Sequence, residues 1–458
     1  MEAIPIAVAK ASPSSLPELD AYLEPFAHLF RRRQSRDSLD RYITGLLTDL
    51  GRKNCDTIAA AVAGTSTERL QHLLTDADWD SLALDKERVS GLVTSSPPGG
   101  ILVLDDTGLP KQGRASVGVA RQYSGTLGKV GNCQVVVSAE YVADEPASST
   151  PLHWPVSAQL YLPESWATQP ERRTQGHIPE EVMFHTKPEI ALSLVDRARA
   201  WGVPFRLVVA DAGYGSNPAF LEGLEARQLL YLCGVEKSFG VRLPDEVRVA
   251  DAAPPPEYGG FGRPPSRRPA PLYTVREIAQ SLPDAAWHTI AWRDGTKGPL
   301  RKQFAALRVH WATGNPDNGR SVEHHTVRTG PEGWLLVERP LPGEDGELKF
   351  YYSNLPADTT LERLVQVAHA RWVIEQFYED AKGECGLDDY QGRLWEGLHR
   401  HIALVMLAYS FLAGQRVAAP EDGEGVFFPS AAAANAPSRA SAGPTMATPG
   451  PCAVDHGQ

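Results

Sequence analysis

Hydrophobic positions recur with a helical period from about Leu16 to Val93. Tyr42, Leu46 and Leu50 follow i, i+4 spacing, and Leu70, Leu73 and Leu74 keep to one face. Thr67 with its acidic neighbours, and the run Asp76-Ala-Asp78-Trp79-Asp80, carry helix-start and loop signals. The breaker Ser95-Ser-Pro-Pro-Gly-Gly100 closes this stretch, and the texture then turns to strands. Ile101–Leu104 reads as a buried strand, with Val117–Tyr123 and Cys133–Val142 placed to pair beside it. A Pro-rich crossover from Pro151 to Pro179 leads to a helix from about Pro188 to Trp201. The strand Arg206–Ala210, a helix near Pro218–Arg227 and the strand Leu229–Cys233 follow. Strands first, then alternating helices and strands, predict an α/β fold with a mixed sheet flanked by helices.

From Phe239 to about Ala357 the pattern returns to strand and loop. His288–Trp292, Gln303–Trp311, Trp334–Glu338 and Phe350–Ser353 are the strand candidates, and Ala252 to Pro271 reads as an exposed loop. One long helix is expected from about Thr360 to Gly383, and a buried one from about Trp395 to Gly414. Beyond Ala418 the chain is rich in Ala, Pro, Ser and Gly, which predicts a disordered tail.

Composition changes this picture only modestly. The chain has 458 residues, 42% of them hydrophobic, enough for a large core and more than one domain. Its 45 Lys+Arg against 56 Asp+Glu give a formal net charge of -11, so any path for a polyanion must be local. Arg31-Arg32-Arg33, Arg36 and Arg52-Lys53 give the first helices a basic edge. The cysteines at 55, 133, 233, 385 and 452 are scattered without a CxxC, which argues against a disulfide framework or structural zinc and fits a reducing cytosol. No signal peptide is expected, and His401 to Gly414 is too short to cross a bilayer.

The chemistry lies in three acidic positions. Asp105-Asp106 ends the run Ile101-Leu-Val-Leu, and Asp211 ends Leu207-Val-Val-Ala. In open α/β sheets, groups at strand ends face the functional crevice. Glu375 lies on a predicted helix. At about 100° per residue, Arg371, Glu375, Tyr378 and Lys382 fall within roughly 60° of one another. Hard divalent cations take oxygen ligands, and two of them about 4 Å apart can activate a water or a 3′-hydroxyl and stabilise the leaving oxygen. Arg371 and Lys382 can hold the phosphate. Strand alternation points Asp105 away from Asp106; Asp105 either assists a metal site or is a bystander facing the other way, and the bystander reading is the expectation. Lys111 and Arg114 are candidates for tracking a nucleic-acid backbone, with a solvated loop as the plainer reading. His324-His325, His399 and His401 lack ligand spacing and are expected to be ordinary surface or core residues.

With these residues in place, the chain resembles the DDE transposases of bacterial insertion sequences, in the branch with a Y-(2)-R-(3)-E-(6)-K signature. Arg371, Glu375 and Lys382 match that signature, while its Tyr position is Ala368, with Tyr378 on the same face. The segments Leu104-Asp-Asp-Thr-Gly-Leu-Pro-Lys-Gln-Gly113, Arg121-Gln-Tyr-Ser-Gly125, Leu160-Tyr-Leu-Pro163 and Ala210-Asp-Ala-Gly-Tyr-Gly215 have the same texture. The resemblance implies a ribonuclease H-like catalytic core with Asp106, Asp211 and Glu375 as catalytic, metal-holding residues. It also implies a β-rich insertion and an N-terminal helical domain. The expected division is a helical DNA-binding or assembly region (1–96), the first part of the core (97–238), the insertion (239–357), the closing core helices (358–415) and the tail (416–458). In the insertion, Trp292-Arg293 and Arg301-Lys302 are candidate DNA contacts, since Trp292 can stack on an unpaired base.

The expectation is therefore a cytoplasmic, nucleoid-associated transposase. It would use two Mg²⁺ ions, with Mn²⁺ as a substitute, to cut double-stranded DNA at element ends and to transfer the 3′-hydroxyl into target DNA. It would act as a homodimer, without a membrane. The alternatives are an inactive or domesticated DNA-binding relative, or another two-metal nuclease or phosphoesterase.

Overall fold

The computed structural model describes residues 16–125, 128–145, 148, 151–254, 269–295, 298–313 and 328–418. His324-His325, positions 255–268 of the expected loop and the tail after Ala418 lie outside the described residues.

The amphipathic opening forms α1 (Pro17–Leu23), α2 (Arg33–Leu47), α3 (Cys55–Ala61), α4 (Thr67–Thr75) and α5 (Ser81–Thr94). Asn54, Ser66 and Asp80 accept hydrogen bonds from first-turn N–H groups of α3, α4 and α5. Those donors have no partner inside a helix, so the caps fix where each helix starts.

The strands β1 (Gly100–Pro110), β2 (Ala120–Ser124), β3 (Lys129–Val142) and β4 (His153–Tyr161) come next. β4 lies inside the stretch expected to be a Pro-rich crossover. Its Pro155 faces Glu140 where the β3–β4 register shifts, a place where a residue without an N–H is tolerated. Then come α6 (Glu164–Thr168), α7 (Pro170–Gly176), α8 (Lys187–Ala200), β5 (Phe205–Ala210), α9 (Ala212–Gly215), α10 (Pro218–Ala226) and β6 (Leu230–Val235). The next region holds β7 (Gly240–Arg242), α11 (Pro244–Ala252), β8 (Tyr273–Thr274), α12 (Val275–Ser281), β9 (His288–Gly295), β10 (Gly298–Thr313), β11 (Arg328–Arg339) and β12 (Lys349–Ser353). The helices α13 (Leu361–His369), α14 (Trp372–Gly383) and α15 (Trp395–Ala418) close the described chain.

One 12-stranded sheet runs β2-β3-β1-β5-β6-β12-β11-β10-β7-β8, with β4 on β3 and β9 on β10. β1 is antiparallel to β3 and parallel to β5, and β5 is parallel to β6. This mixed sheet, with helices on both faces, is the ribonuclease H-like α/β fold. The strands of the 239–357 region continue the same sheet, because β12 pairs with β6 and covers an edge that would otherwise expose unpaired backbone groups.

Side-chain alternation divides the core. Ile101, Val103, Leu207, Val209 and Leu232 face the opening helices and α13–α15. Leu102, Leu104, Val208, Ala210 and Tyr231 face α8 and α10. Buried arginines lock the opening helices onto this frame. Arg88 donates to the carbonyls of Pro155 (2.5 Å) and Val156 (3.0 Å) and pairs with Asp85 (3.0 Å). Arg400 on α15 donates to the carbonyls of Ala77 (2.7 Å) and Trp79 (2.6 Å).

Two expectations about the site elements change. β1 does not stop at the acidic pair but runs on to Pro110 against β3. The single helix expected over 360–383 is two, broken at Ala370 and Arg371.

Candidate active site

The site is built by a mismatch in strand length. β1 keeps its parallel partner β5 only as far as the pair Leu104–Ala210, then continues on β3 alone. Asp105 and Asp106 therefore sit where β5 has ended, and Asp211 is the first residue past that end. Asp211 also caps α9: its Oδ1 accepts from the N–H groups of Gly213 (2.9 Å) and Tyr214 (3.4 Å). Gly215 in that turn lies so close to β6 that a Cβ would come within 2.1 Å of the Gly234 carbonyl oxygen. The Gly-Tyr-Gly sequence thus serves a tight turn.

Asp105, Asp106, Asp211, Arg371, Glu375, Tyr378 and Lys382 all line one cleft of about 1050 Å³. The helix-face spacing of Arg371, Glu375, Tyr378 and Lys382 does present them together. Alternation sends the two β1 acids to opposite sides. Asp105 turns toward α14, where the Arg371 guanidinium meets its Oδ2 at 2.6 Å and also pairs with Glu375. Asp106 turns the other way. Lys187 at the start of α8 donates to both of its oxygens, at 2.9 and 3.1 Å, and the Tyr214 hydroxyl donates at 3.1 Å. Asp105 does face away from Asp106, and it has a partner there because the side opposite Asp106 is the side on which α14 packs.

Burial and crowding raise the energy of ionised carboxylates here. Burial, with Asp211 and Asp106 adding repulsion, pushes Asp105 up to about 7 against the pull of Arg371. Burial likewise raises Asp211, with Asp106 adding to the effect. Lys382 donates to the Thr107 hydroxyl at 2.7 Å, and burial lowers its pKa.

Several expected residues are placed elsewhere. Trp292 does not line this cleft. The half-buried Trp292 ring stacks one face on His369 at 3.9 Å and 11°, and Phe304 meets it edge-on. Arg293 lies over the Trp372 ring at 3.7 Å, and Lys302 pairs with Glu338 at 2.7 Å. Lys111 is a strut, donating to the carbonyls of Asp388 (3.1 Å) and Tyr390 (2.6 Å). Arg114 is exposed. His399 and His401 are hydrogen-bonded within the core, and burial holds both at about 4. Ala368, at the signature's Tyr position, is buried. The Tyr378 hydroxyl is engaged with Ser138 at 2.5 Å.

The chain matches the DDE superfamily endonuclease family over residues 25–299. It belongs to that family. Membership implies dependence on a divalent metal ion. The matched residues hold Asp105, Asp106, Lys187 and Asp211 and end before Arg371 and Glu375. The chain is also 30% identical over 229 residues to a protein named "Probable transposase for insertion sequence element IS701" from Microchaete diplosiphon. That similarity covers 49% of this chain and 55% of the relative, so the chain spans about half the length of the curated relative it matches.

For this DDE superfamily endonuclease the donor chemistry of the cleft suits a hard divalent cation. Its acids are carboxylates, hard oxygen donors, and burial with repulsion from Asp211 and Asp106 pushes Asp105 up to about 7. As the side chains stand, Lys187 and Arg371 neutralise those carboxylates. Among the described residues no three His, Cys, Asp or Glu groups are grouped to hold one ion. No helix among them is long and apolar enough to cross a membrane. Sequence reasoning missed Lys187 and Tyr214. The only signal for either was local: the cap Thr186 before Lys187, and the turn after Asp211.

Proposed function

We propose that this protein is an insertion-sequence transposase that cuts DNA at the element ends and joins the freed 3′-hydroxyl to target DNA. One observation carries the reading: acids from β1, from the end of β5 and from α14 line a single cleft beside Arg371 and Lys382. Family membership and the relative's name support it.

Asp106, Asp211 and Glu375 would hold two Mg²⁺ ions, with Mn²⁺ as a substitute. When bound, the ions supply activation of the attacking oxygen and neutralise charge on the leaving one. The other roles belong to the chain. Arg371 bridges Asp105 and Glu375 and so orients the helix that carries Glu375. Its two-pronged guanidinium and the Lys382 ammonium, one on each side of Glu375, position the phosphate. Lys187 keeps Asp106 charge-neutral until substrate and ions enter. Double-stranded DNA is the partner, and two ends to be joined call for a homodimer on DNA. The scattered cysteines suit the cytoplasm.

The test is cleavage of inverted-repeat end DNA with Mg²⁺ by Asp106→Asn, Asp211→Asn and Glu375→Gln. Each should lose on the order of a hundredfold or more in rate, as removal of a group stabilising the transition state does. Cleavage by Asp106→Asn equal to wild type overturns the assignment. Turnover of small phosphoesters without DNA cleavage would favour a phosphoesterase.

A further inference from the structure

The break between α13 and α14 has no cause in the local sequence. His369-Ala370-Arg371-Trp372 contains neither Gly nor Pro, and Ala370 and Arg371 both keep helical backbone angles. Sharp helix kinks normally need Pro, Gly or Ser pairs, a bulge, or an inserted group. The hydrogen bonds tighten here to i, i+3 type, with Ala370 N–H to Val367 O (3.2 Å) and Ile374 N–H to Arg371 O (3.2 Å).

Residues of the 239–357 strands pack on both sides of the break. On one side of the break, Trp292 of β9 stacks on His369 at 3.9 Å, and Glu338 of β11 lies 3.3 Å from the His369 imidazole. On the other side, Arg293 of β9 covers the Trp372 ring at 3.7 Å. Glu338 is itself fixed: Lys302 meets it at 2.7 Å and the Tyr351 hydroxyl at 3.0 Å. Consecutive residues of one strand thus hold the two ends of the break. Between those ends sits Arg371, and Glu375 is one turn farther on.

We infer that Trp292, Arg293 and Glu338 form a clamp that sets the rotational phase of α14, making them positioning residues for Arg371 and Glu375. A shift of one residue in helix phase turns a side chain by about 100°, enough to swing Glu375 out of the cleft. This explains what the strands between the second acid and the Glu do for the site: they hold the catalytic helix in register with β1. The inference rests on the proposed roles of Arg371 and Glu375.

The test uses the full chain with Trp292→Leu and Trp292→Phe and three readouts. Amide exchange over 370–376 should speed about tenfold in Trp292→Leu while the buried amides of α15 stay protected. End cleavage at saturating DNA should fall roughly tenfold to a hundredfold, as small misplacements of reacting groups do. Binding of end DNA in Ca²⁺ should fall less than the cleavage rate does, since contacts to phosphates over the rest of a duplex site supply most of the affinity. Trp292→Phe should restore exchange and rate. Unchanged exchange at 370–376 overturns the clamp, as does faster exchange with an unaltered cleavage rate. Equal loss of protection in α15 shows general destabilisation and also overturns it. Weakened DNA binding with unchanged exchange would make Trp292 a DNA contact instead. Failure of the wild-type protein to cut DNA counts against the transposase reading alone, because exchange still decides the clamp.

Discussion

Lys187 donates to both carboxylate oxygens of Asp106, at 2.9 and 3.1 Å, across 81 residues of sequence. A cation therefore already occupies the acid proposed to hold metal. On that proposal a divalent ion would have to displace the Lys187 ammonium from Asp106. Removing the amine with Lys187→Met should tighten Mn²⁺ binding in the absence of DNA. The pair is partly exposed, so the gain should be about 1 kcal/mol, or roughly fivefold. Calorimetric titration of both proteins with Mn²⁺ measures it. Unchanged or weaker binding by the variant sinks the idea of competition.

Asp105 should give folding a distinct pH dependence. Its pKa is raised from 3.8 to about 7, so between these values the folded chain keeps a proton that the unfolded chain has released. Stability from this group is greatest below about pH 4 and declines as pH rises to about 7. Asp211 is shifted in the same direction. Asp105→Asn stays neutral and can still accept from Arg371. Urea midpoints from about pH 5 to about pH 8 should fall less steeply in Asp105→Asn than in wild type. Identical slopes would show that Asp105 does not titrate in this window.

Asp211 has two roles that mutation can separate. Its side chain caps α9, and its charge belongs to the cleft. Asp211→Asn keeps an acceptor for Gly213 and Tyr214, whereas Asp211→Ala loses it at a cost of about 1 kcal/mol. Both should abolish end cleavage, but only the alanine variant should show a lowered melting temperature. Equal melting temperatures for the two would argue that the cap contributes nothing.

Arg88 joins α5 to β4 and, through Ser410, to α15. Its side chain is almost fully buried beside Asp85. Arg88→Ala leaves the carboxylate and two backbone carbonyls without their donor, which should cost about 3 kcal/mol. Chemical denaturation should show the opening helices and the sheet losing stability in one transition. A separate early transition for the helices would mean that they are energetically independent of the core.

Some of the site was legible along the chain because its signals are local. Arg371, Glu375 and Lys382 share a face through helix geometry alone, and the apolar runs before Asp105 and Asp211 announce strands whatever they pair with. Alternation correctly sent Asp105 and Asp106 to opposite sides. What alternation could not supply was the identity of the neighbours: Asp105 meets Arg371 across 266 residues. The packing of Trp292 on His369 was hidden for the same reason. An exposed-looking aromatic beside basic residues has the same sequence whether its ring meets a base or His369.

The sequence by itself determined the local elements, their caps and their faces, because periods of 2 and 3.6 residues and side-chain caps act over a few positions. It also carried Asp105, Asp106 and Asp211, which lie within the stretch that matches the DDE superfamily endonucleases. Only the tertiary structure decided that β5 stops two residues short of Asp106 while β1 runs on. The same holds for the pairing of Lys187 with Asp106 and for the break in the Glu375 helix beneath Trp292 and Arg293. These depend on which distant strand or helix packs where, and that choice is made by burial and charge pairing across the whole chain.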